Sequence, residues 1–343
     1  MGAGSTAHRA APDGAVKTLL LNPATDPEAL PRAAELLRSG ELVAFPTETV
    51  YGLGGCVFNA EAIARIFAVK GRPADNPLIV HIAAPEQAAQ VAAELPPTYW
   101  LLAEHFFPGP LTVVLRRHPA VPPIVSGGLD TVALRMPRHP IALELIRLTG
   151  EPLAAPSANR SGRPSPTCAA HVLEDLDGAI AAVVDGGACE IGLESTVVNL
   201  LSSPPVILRP GAITAEQLAR VLGEPVTYWQ GEELAATPSP GMKYRHYAPN
   251  ARVLLVFSWE ELQHVLRTEP LTSSIVLAPE AAPFPLKLPL RPLRAETLYA
   301  EFRAADRAGI RSIVVVCTPE VQRNAALMDR LRKAAAARPE EQP

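Results

Sequence analysis

Ile63-Ala64-Arg65-Ile66-Phe67-Ala68-Val69-Lys70-Gly71-Arg72-Pro73-Ala74-Asp75-Asn76-Pro77-Leu78-Ile79-Val80-His81-Ile82 holds a helix, a polar junction and a strand in one run. Ile63, Ile66 and Phe67 recur at helical spacing, so the stretch Ala60 to Val69 reads as a helix with one apolar face. Leu78 to Ile82 is a short, almost uninterrupted apolar run, as a sheet strand requires. Lys70 and Arg72 stand between them beside the rigid Pro73. Two cations so placed can fix the oxygens of a phosphate. Junctions of this kind are where α/β folds open their ligand crevices.

The pattern continues in both directions. Upstream, Thr25 to Gly40 reads as a helix with a capping box from Thr25 to Glu28, although Pro31 lies inside it. Leu42-Val43-Ala44-Phe45 is a strand that delivers Thr47, Glu48 and Thr49 into a loop, and Tyr51-Gly52-Leu53-Gly54-Gly55 reads as a tight turn. Downstream, Glu86 to Leu95, Tyr99 to Phe107 and Pro140 to Thr149 are expected helices. Strands are expected at Leu111–Leu115, Val132–Met136, Leu153–Ala155, Ala179–Asp185 and Ser195–Leu200, with Val206–Leu208 returning as a hairpin. Several strands follow one another without a helix. The fold class is therefore α/β with a twisted mixed sheet rather than a simple doubly wound one, in a first domain spanning residues 16–223.

Residues 224–250 are rich in Pro, Gly, Ser and aromatics and connect to a second domain at 251–336. Tyr244-Arg245-His246-Tyr247 in this connection fits a lid over the first domain's crevice, or a linker pinned by aromatic packing. The second domain alternates strands (Arg252–Phe257, Ser274–Leu277, Ser312–Cys317) with helices (Glu260–Leu266, Thr297–Ala308, Ala325–Lys333), a smaller Rossmann-like α/β unit. It lacks a glycine-rich nucleotide loop: Ser258-Trp259-Glu260 follows its first strand. Residues 1–15 read as a disordered leader without a signal peptide, and 337–343 as a frayed tail.

Composition narrows the class. A chain of 343 residues with net charge −4 is not a broadly basic nucleic-acid binder. Cys56, Cys168, Cys189 and Cys317 are scattered without metal-ligand spacing, which argues against a disulfide framework and for a reducing, cytoplasmic setting; no membrane segment is visible. No phosphate-binding P-loop or hydrolase elbow occurs. The chemistry must rest on the Lys70/Arg72 junction and on Ser157-Ala158-Asn159, with Arg135 and Arg209 at strand ends adding cations suited to a polyanion such as a nucleoside triphosphate.

Pro46-Thr47-Glu48-Thr49-Val50-Tyr51-Gly52-Leu53, Lys70-Gly71-Arg72-Pro73, Asn76-Pro77-Leu78-Ile79-Val80-His81 and Gly109-Pro110-Leu111-Thr112 together carry a resemblance. So do Arg135-Met136-Pro137, Pro156-Ser157-Ala158-Asn159-Arg160-Ser161-Gly162, Glu194-Ser195-Thr196 and Leu208-Arg209-Pro210-Gly211. The chain resembles the threonylcarbamoyl-adenylate synthases, the YrdC-like family, in their long form with an additional C-terminal domain. The resemblance implies that L-threonine, bicarbonate or CO2, and ATP are converted to L-threonylcarbamoyl-adenylate and pyrophosphate. It further implies that partner proteins use the adenylate to form N6-threonylcarbamoyladenosine in tRNAs reading codons that start with A, so tight nucleic-acid binding is not expected here.

The resemblance also implies roles. Lys70 and Arg72 meet the ATP phosphates. Ser157, Asn159, Ser165 and Arg209 bind the nucleotide, with Tyr247 reaching in from the connection. Thr47, Tyr51, His81, Thr131, Arg135 and Ser195 surround threonine. Lys70, Arg72, Ser157 and Asn159 are the catalytic candidates, and Mg²⁺ is held through the ATP phosphates rather than by protein ligands. A double-stranded RNA-binding or regulatory module on the same fold is the alternative, disfavoured by the acidic net charge and the full set of polar residues.

Overall fold

The computed structural model describes residues 17–230 and 247–336. The expected leader and tail, and Tyr244, Arg245 and His246, lie outside the described residues.

Strands of the first unit are β1 (Leu19–Leu21), β2 (Val43–Phe45), β3 (Gly52–Cys56), β4 (Ile79–His81), β5 (Leu111–Arg116) and β6 (Thr131–Arg135). They continue as β7 (Leu153–Ala154), β8 (Ala182–Val184), β9 (Thr196–Asn199), β10 (Val206–Arg209) and β11 (Thr227–Tyr228). They form one sheet in the order β1-β8-β2-β3-β7-β4-β6-β5-β9-β10-β11. Parallel pairs such as β4/β6 and β5/β9 alternate with antiparallel ones such as β2/β3, β5/β6 and β9/β10, so the sheet is mixed as expected. Through β11 it extends past Gly223.

Both faces are covered, and the strand period of two explains how short strands achieve it. Val43 and Phe45 pack on one face with the helices Ala29–Arg38 and Pro140–Thr149, while Ala44 enters the core on the other with the helices Ala60–Lys70 and Pro97–Phe106. In β8, Ala182 and Val184 share the first face and Val183 the second. A third, smaller apolar patch of Ile79, Val114, Ala133, Val197 and Leu208 lines up across β4, β5, β6, β9 and β10 on the face beside the functional crevice.

Several local expectations are corrected. Tyr51–Gly55 is not a tight turn: Gly52–Cys56 is strand β3, and Gly52, Gly54 and Gly55 do not have left-handed backbone. What these glycines supply is room, since a Cβ on Gly54 would sit 2.8 Å from the Phe45 ring. The capping box at Thr25 does not form. The Thr25 hydroxyl donates to Asn22 O, and the helix begins at Ala29, with Pro31 tolerated in the first turn, where amides have no intrahelical partner. Glu86–Leu95 contracts to a 3₁₀ segment, Pro85–Gln90. The helices Ala169–Leu176 and Ala215–Leu222 were not anticipated, although the second carries a capping box between Thr214 and Gln217.

The second unit holds β12 (Arg252–Val256), β13 (Ser274–Ala278), β14 (Leu290–Pro292) and β15 (Ser312–Val316), all parallel in the order β12-β15-β13-β14. Helices Trp259–Thr268, Leu298–Arg307 and Ala325–Ala335 accompany them, giving the expected small α/β unit. Two buried arginines join it to the first: Arg303 pairs with Asp175 at 2.9 Å and Arg330 with Glu194 at 2.8 Å. No helix among the described residues is long and apolar enough to cross a membrane.

Candidate functional site

The crevice opens where β4, β6, β9 and β10 run out beside the β2–β3 loop. His81 ends β4 and stands in register with Arg135 at the end of β6. Ser195 immediately precedes β9 and Arg209 ends β10. A β-bulge brings Arg209 here: Ile207 pairs with Val198 but Arg209 with Val197, so Leu208 is the extra residue and the alternation resets. Without it, Arg209 would follow Ile207 into the opposite core. Thr47, Thr49, Val50, Arg72, Ser157, Glu194 and Tyr247 complete much of the lining. The crevice encloses about 580 Å³ of space when the open solvent at its mouth is included.

Burial sets the electrostatics. Arg135 donates from Nη2 to Glu48 Oε1 at 2.6 Å and from Nη1 to the Thr49 hydroxyl at 2.9 Å. Its Nε is buried without a hydrogen-bond partner. Burial, opposed by Glu48 and reinforced by Arg209, draws the Arg135 pKa below its usual value. Arg72 spends Nε and Nη2 on Asn76 O and Pro77 O, and burial lowers its pKa to about 10. Arg209 holds Ser195 through both its carbonyl and its hydroxyl, each at 3.1 Å. His81 is brought down to about 3, first by burial and then by Arg135, so it is neutral. Its Nδ1 lies 3.1 Å from Ile79 O, which assigns the proton to Nδ1 and leaves Nε2 as an acceptor.

Burial pushes the Glu194 carboxyl up, but Arg330 and Arg209 together with the Ser165 hydroxyl outweigh it and hold the group at about 2. Of the carboxylates at this crevice, Glu48 is committed to Arg135, and Glu194 to Arg330, Tyr299 and Ser165. The described residues offer no cluster of three or more metal-ligating side chains.

Not every expected residue faces the crevice. Lys70 is buried and donates to Ser157 O at 2.5 Å and also to Asn159 O, so its ammonium sits behind the Ser157–Asn159 loop. Asn159 donates to Arg160 O and Arg163 O, and its Oδ1 is buried without a partner. Ser165 turns to Glu194 at 2.6 Å. Tyr51 is a core side chain whose hydroxyl donates to Gly187 O and accepts from Gly186 N. Thr131 starts β6 opposite Arg116, the far end of the strand from Arg135, and is not brought to the site because four strand residues span about 13 Å. Thr47, Arg72, His81, Arg135, Ser157, Ser195, Arg209 and Tyr247 do meet there. Glu48, Thr49, Thr112 and Glu194 were missed as participants; each is adjacent in sequence to a recognised motif or inside one, but only the fold pairs Glu48 with Arg135 and Thr112 with Ser195.

Two results follow from this geometry. Gly211 packs so tightly on the loop before β9 that a Cβ would lie 2.2 Å from Thr196 N and 2.6 Å from Ser195 C. Both are backbone atoms, so Gly211→Ala must displace Ser195. A stability loss of about 1–3 kcal/mol, as for overpacked cores, and a fall in substrate affinity are expected together, read by thermal melts and calorimetry. An unchanged affinity would show that Ser195 is not needed where it stands.

The second concerns acid. His81 takes a proton in the unfolded chain near pH 6.5 but not in the fold until about 3. Its contribution to stability is therefore present above about 6.5 and lost as pH falls toward 3. Glu194, depressed from 4.5 to about 2, adds a loss in the lower window. Melting temperature should thus fall from pH 6.5 downward, and His81→Asn should flatten that upper slope, leaving the parts carried by His171, lowered to about 4 by burial, and by His139, lowered by the same cause. An identical slope in the variant would mean that His81 does not titrate as its surroundings require.

Comparison with known proteins gives consistent answers. A family described as "Telomere recombination" (Sua5_yciO_yrdC) matches residues 35–211, and "Threonylcarbamoyl-AMP synthase, C-terminal domain" matches residues 213–336. A threonylcarbamoyl-AMP synthase of Pyrococcus abyssi is 46% identical over 319 residues, covering 88% of this chain and 92% of the relative. One of Bacillus subtilis is 45% identical, covering 91% of this chain and 94% of the relative. A crystal structure of Pyrococcus abyssi Sua5 complexed with L-threonine superposes with a TM-score of 0.85 at 42% identity, covering 93% of this chain and 98% of that one. The two-domain architecture, the crevice at the strand ends and these similarities place the chain in the threonylcarbamoyl-AMP synthase family, in the form that carries the additional C-terminal domain.

Proposed function

We propose that this protein synthesises L-threonylcarbamoyl-adenylate from L-threonine, bicarbonate or CO2, and ATP, releasing pyrophosphate. The observation that carries the reading is a crevice lined by the buried Arg135 and Arg209, the half-buried Arg72 and a neutral histidine, in a chain similar over nearly its whole length to a threonine-bound relative.

The unpartnered Nε of Arg135 receives the threonine carboxylate, and His81 Nε2 accepts from the threonine hydroxyl or amine. Thr47 and Ser195 flank the same subsite. Arg72 and Arg209 meet the phosphates and Ser157 the nucleotide, on a loop that Asn159 braces through Arg160 O and Arg163 O. The neutral threonine amine attacks the carbon of CO2 and loses a proton to solvent, or that of bicarbonate with loss of its C–OH oxygen as water, to give a carbamate. A carbamate oxygen then attacks the α-phosphorus, and the bond to pyrophosphate breaks. Fixed arginines stabilise the growing charge, and positioning of the two substrates does most of the rest. Glu48 and Glu194 are held as ion pairs, so neither serves as a general base. Arg72 and Arg209 would hold the phosphates of magnesium-bound ATP, for which Mg²⁺ would supply further charge shielding.

The adenylate passes to partner proteins that modify tRNA. The four free cysteines support a reducing compartment such as the cytoplasm. Incubation with ATP, L-threonine, bicarbonate and Mg²⁺ should yield a species with the mass of threonylcarbamoyl-adenylate, whereas titration with an RNA duplex should give no tight binding. Duplex affinity without any adenylate would favour the RNA-binding alternative.

A further inference from the structure

Among the described residues, Glu194 is the carboxylate that lines the crevice directly, and its oxygens are taken up from two domains. Ser165 of the first domain donates to Oε1 at 2.6 Å. Tyr299 of the second donates to Oε2 at 2.9 Å, and Arg330 of the second donates from Nε to the same oxygen at 2.8 Å. Arg330 does more than pair a charge. Its Nη1 donates to Pro210 O at 3.0 Å, and its guanidinium lies 5.2 Å from the centre of the Tyr247 ring, which stacks on Tyr299 at 5.7 Å. Glu194 precedes Ser195, and Pro210 follows Arg209. One buried guanidinium of the second domain thus grips the chain beside two crevice side chains and lies over a third.

We infer that Arg330 and Tyr299 are positioning residues for the crevice, acting through Glu194 and Pro210 on Ser195 and Arg209 and directly on Tyr247. This rests on the reading of the crevice as the substrate site. A fully buried ion pair is weak evidence for stability, because desolvation offsets much of its attraction. A planar fork spanning two chain segments, by contrast, fixes their separation. Ser195 also bonds to Thr112 and Arg209, so a shift of Glu194 is passed to the whole β9–β10 edge of the site.

The test uses the full chain and calorimetric affinities for L-threonine and for ATP, which need no turnover, measured well below the unfolding midpoint. Arg330→Lys keeps a cation against Glu194 but gives up the fork to Pro210. It should remain folded and bind threonine roughly tenfold more weakly, as the loss of an oriented charged hydrogen bond implies. The double variant E194Q/R330M removes both charges, so its stability should be close to that of the parent while the affinity loss persists. Tyr299→Phe should give a smaller loss in the same direction. Parental affinities in folded R330K, or their recovery together with stability in E194Q/R330M, would overturn the inference and leave the cluster a structural ion pair. A parent that binds threonine and ATP but makes no adenylate would instead refute the synthase reading, and the affinities would still score the positioning.

Discussion

Arg135→Leu is expected to lower kcat/KM for threonine by about 10²–10³-fold, the scale on which a preorganised charge stabiliser is lost. The same change removes the partner of Glu48, whose carboxylate is 3% exposed and 2.6 Å from Nη2. Breaking a buried pair from one side costs about 3–5 kcal/mol of stability. The two effects are separable. In E48Q/R135L no lone charge remains, so the melting temperature should recover most of the loss while kcat/KM stays low. Steady-state kinetics and thermal melts on the two variants check this. Near-parental kcat/KM in R135L would remove Arg135 from the substrate site and leave it as the partner of Glu48 and Thr49.

Lys70→Met is expected to reduce kcat/KM for ATP by at least ~2 kcal/mol, about thirtyfold. The cause is positional. The ammonium is fully buried, and its pKa is drawn well below the usual lysine value by burial and then by Arg72. It donates to the carbonyls of Ser157 and Asn159, and Ser161 N donates back to Lys70 O. Methionine leaves both carbonyls without that donor, at about 1–3 kcal/mol for each unsatisfied group, and the loop that carries Ser157 and Asn159 loses its anchor. The defect should therefore appear mainly in KM for ATP, with threonine affinity less affected. Equal kinetics for both substrates in parent and variant would contradict this assignment.

Lys70 shows where the sequence was legible and where it was not. Its place at a helix–strand junction, next to Arg72 and before the strand of His81, could be read from periodicity alone. The direction of its side chain could not, because that depends on the Ser157–Asn159 loop, 87 residues away along the chain. The long apolar helices and the strands β4, β5, β6 and β9 were evident for the same local reasons. Strand β3 was not, since glycines signal a turn in isolation, and only the Phe45 ring packed against them explains their presence in a strand. Arg209 was recognised as a cation at a strand end, but the bulge at Leu208 that aims it into the crevice is a property of its pairing with β9. Thr131 and Tyr51 lie away for other reasons: Thr131 sits at the opposite end of β6 from Arg135, and core burial turns Tyr51 inward. The roles of Glu48 and Glu194 depend on partners distant in sequence, Arg135 and Arg330.

The central claim is that one crevice joins threonine, a one-carbon unit and ATP in a single synthesis. Pyrophosphate release by the purified full chain, with threonine and bicarbonate omitted in turn, tests it most directly. Release is predicted only when L-threonine, bicarbonate and ATP are all present, in equal amount to threonylcarbamoyl-adenylate formed; equal release without threonine would contradict the account and mark the protein as a nucleotide hydrolase.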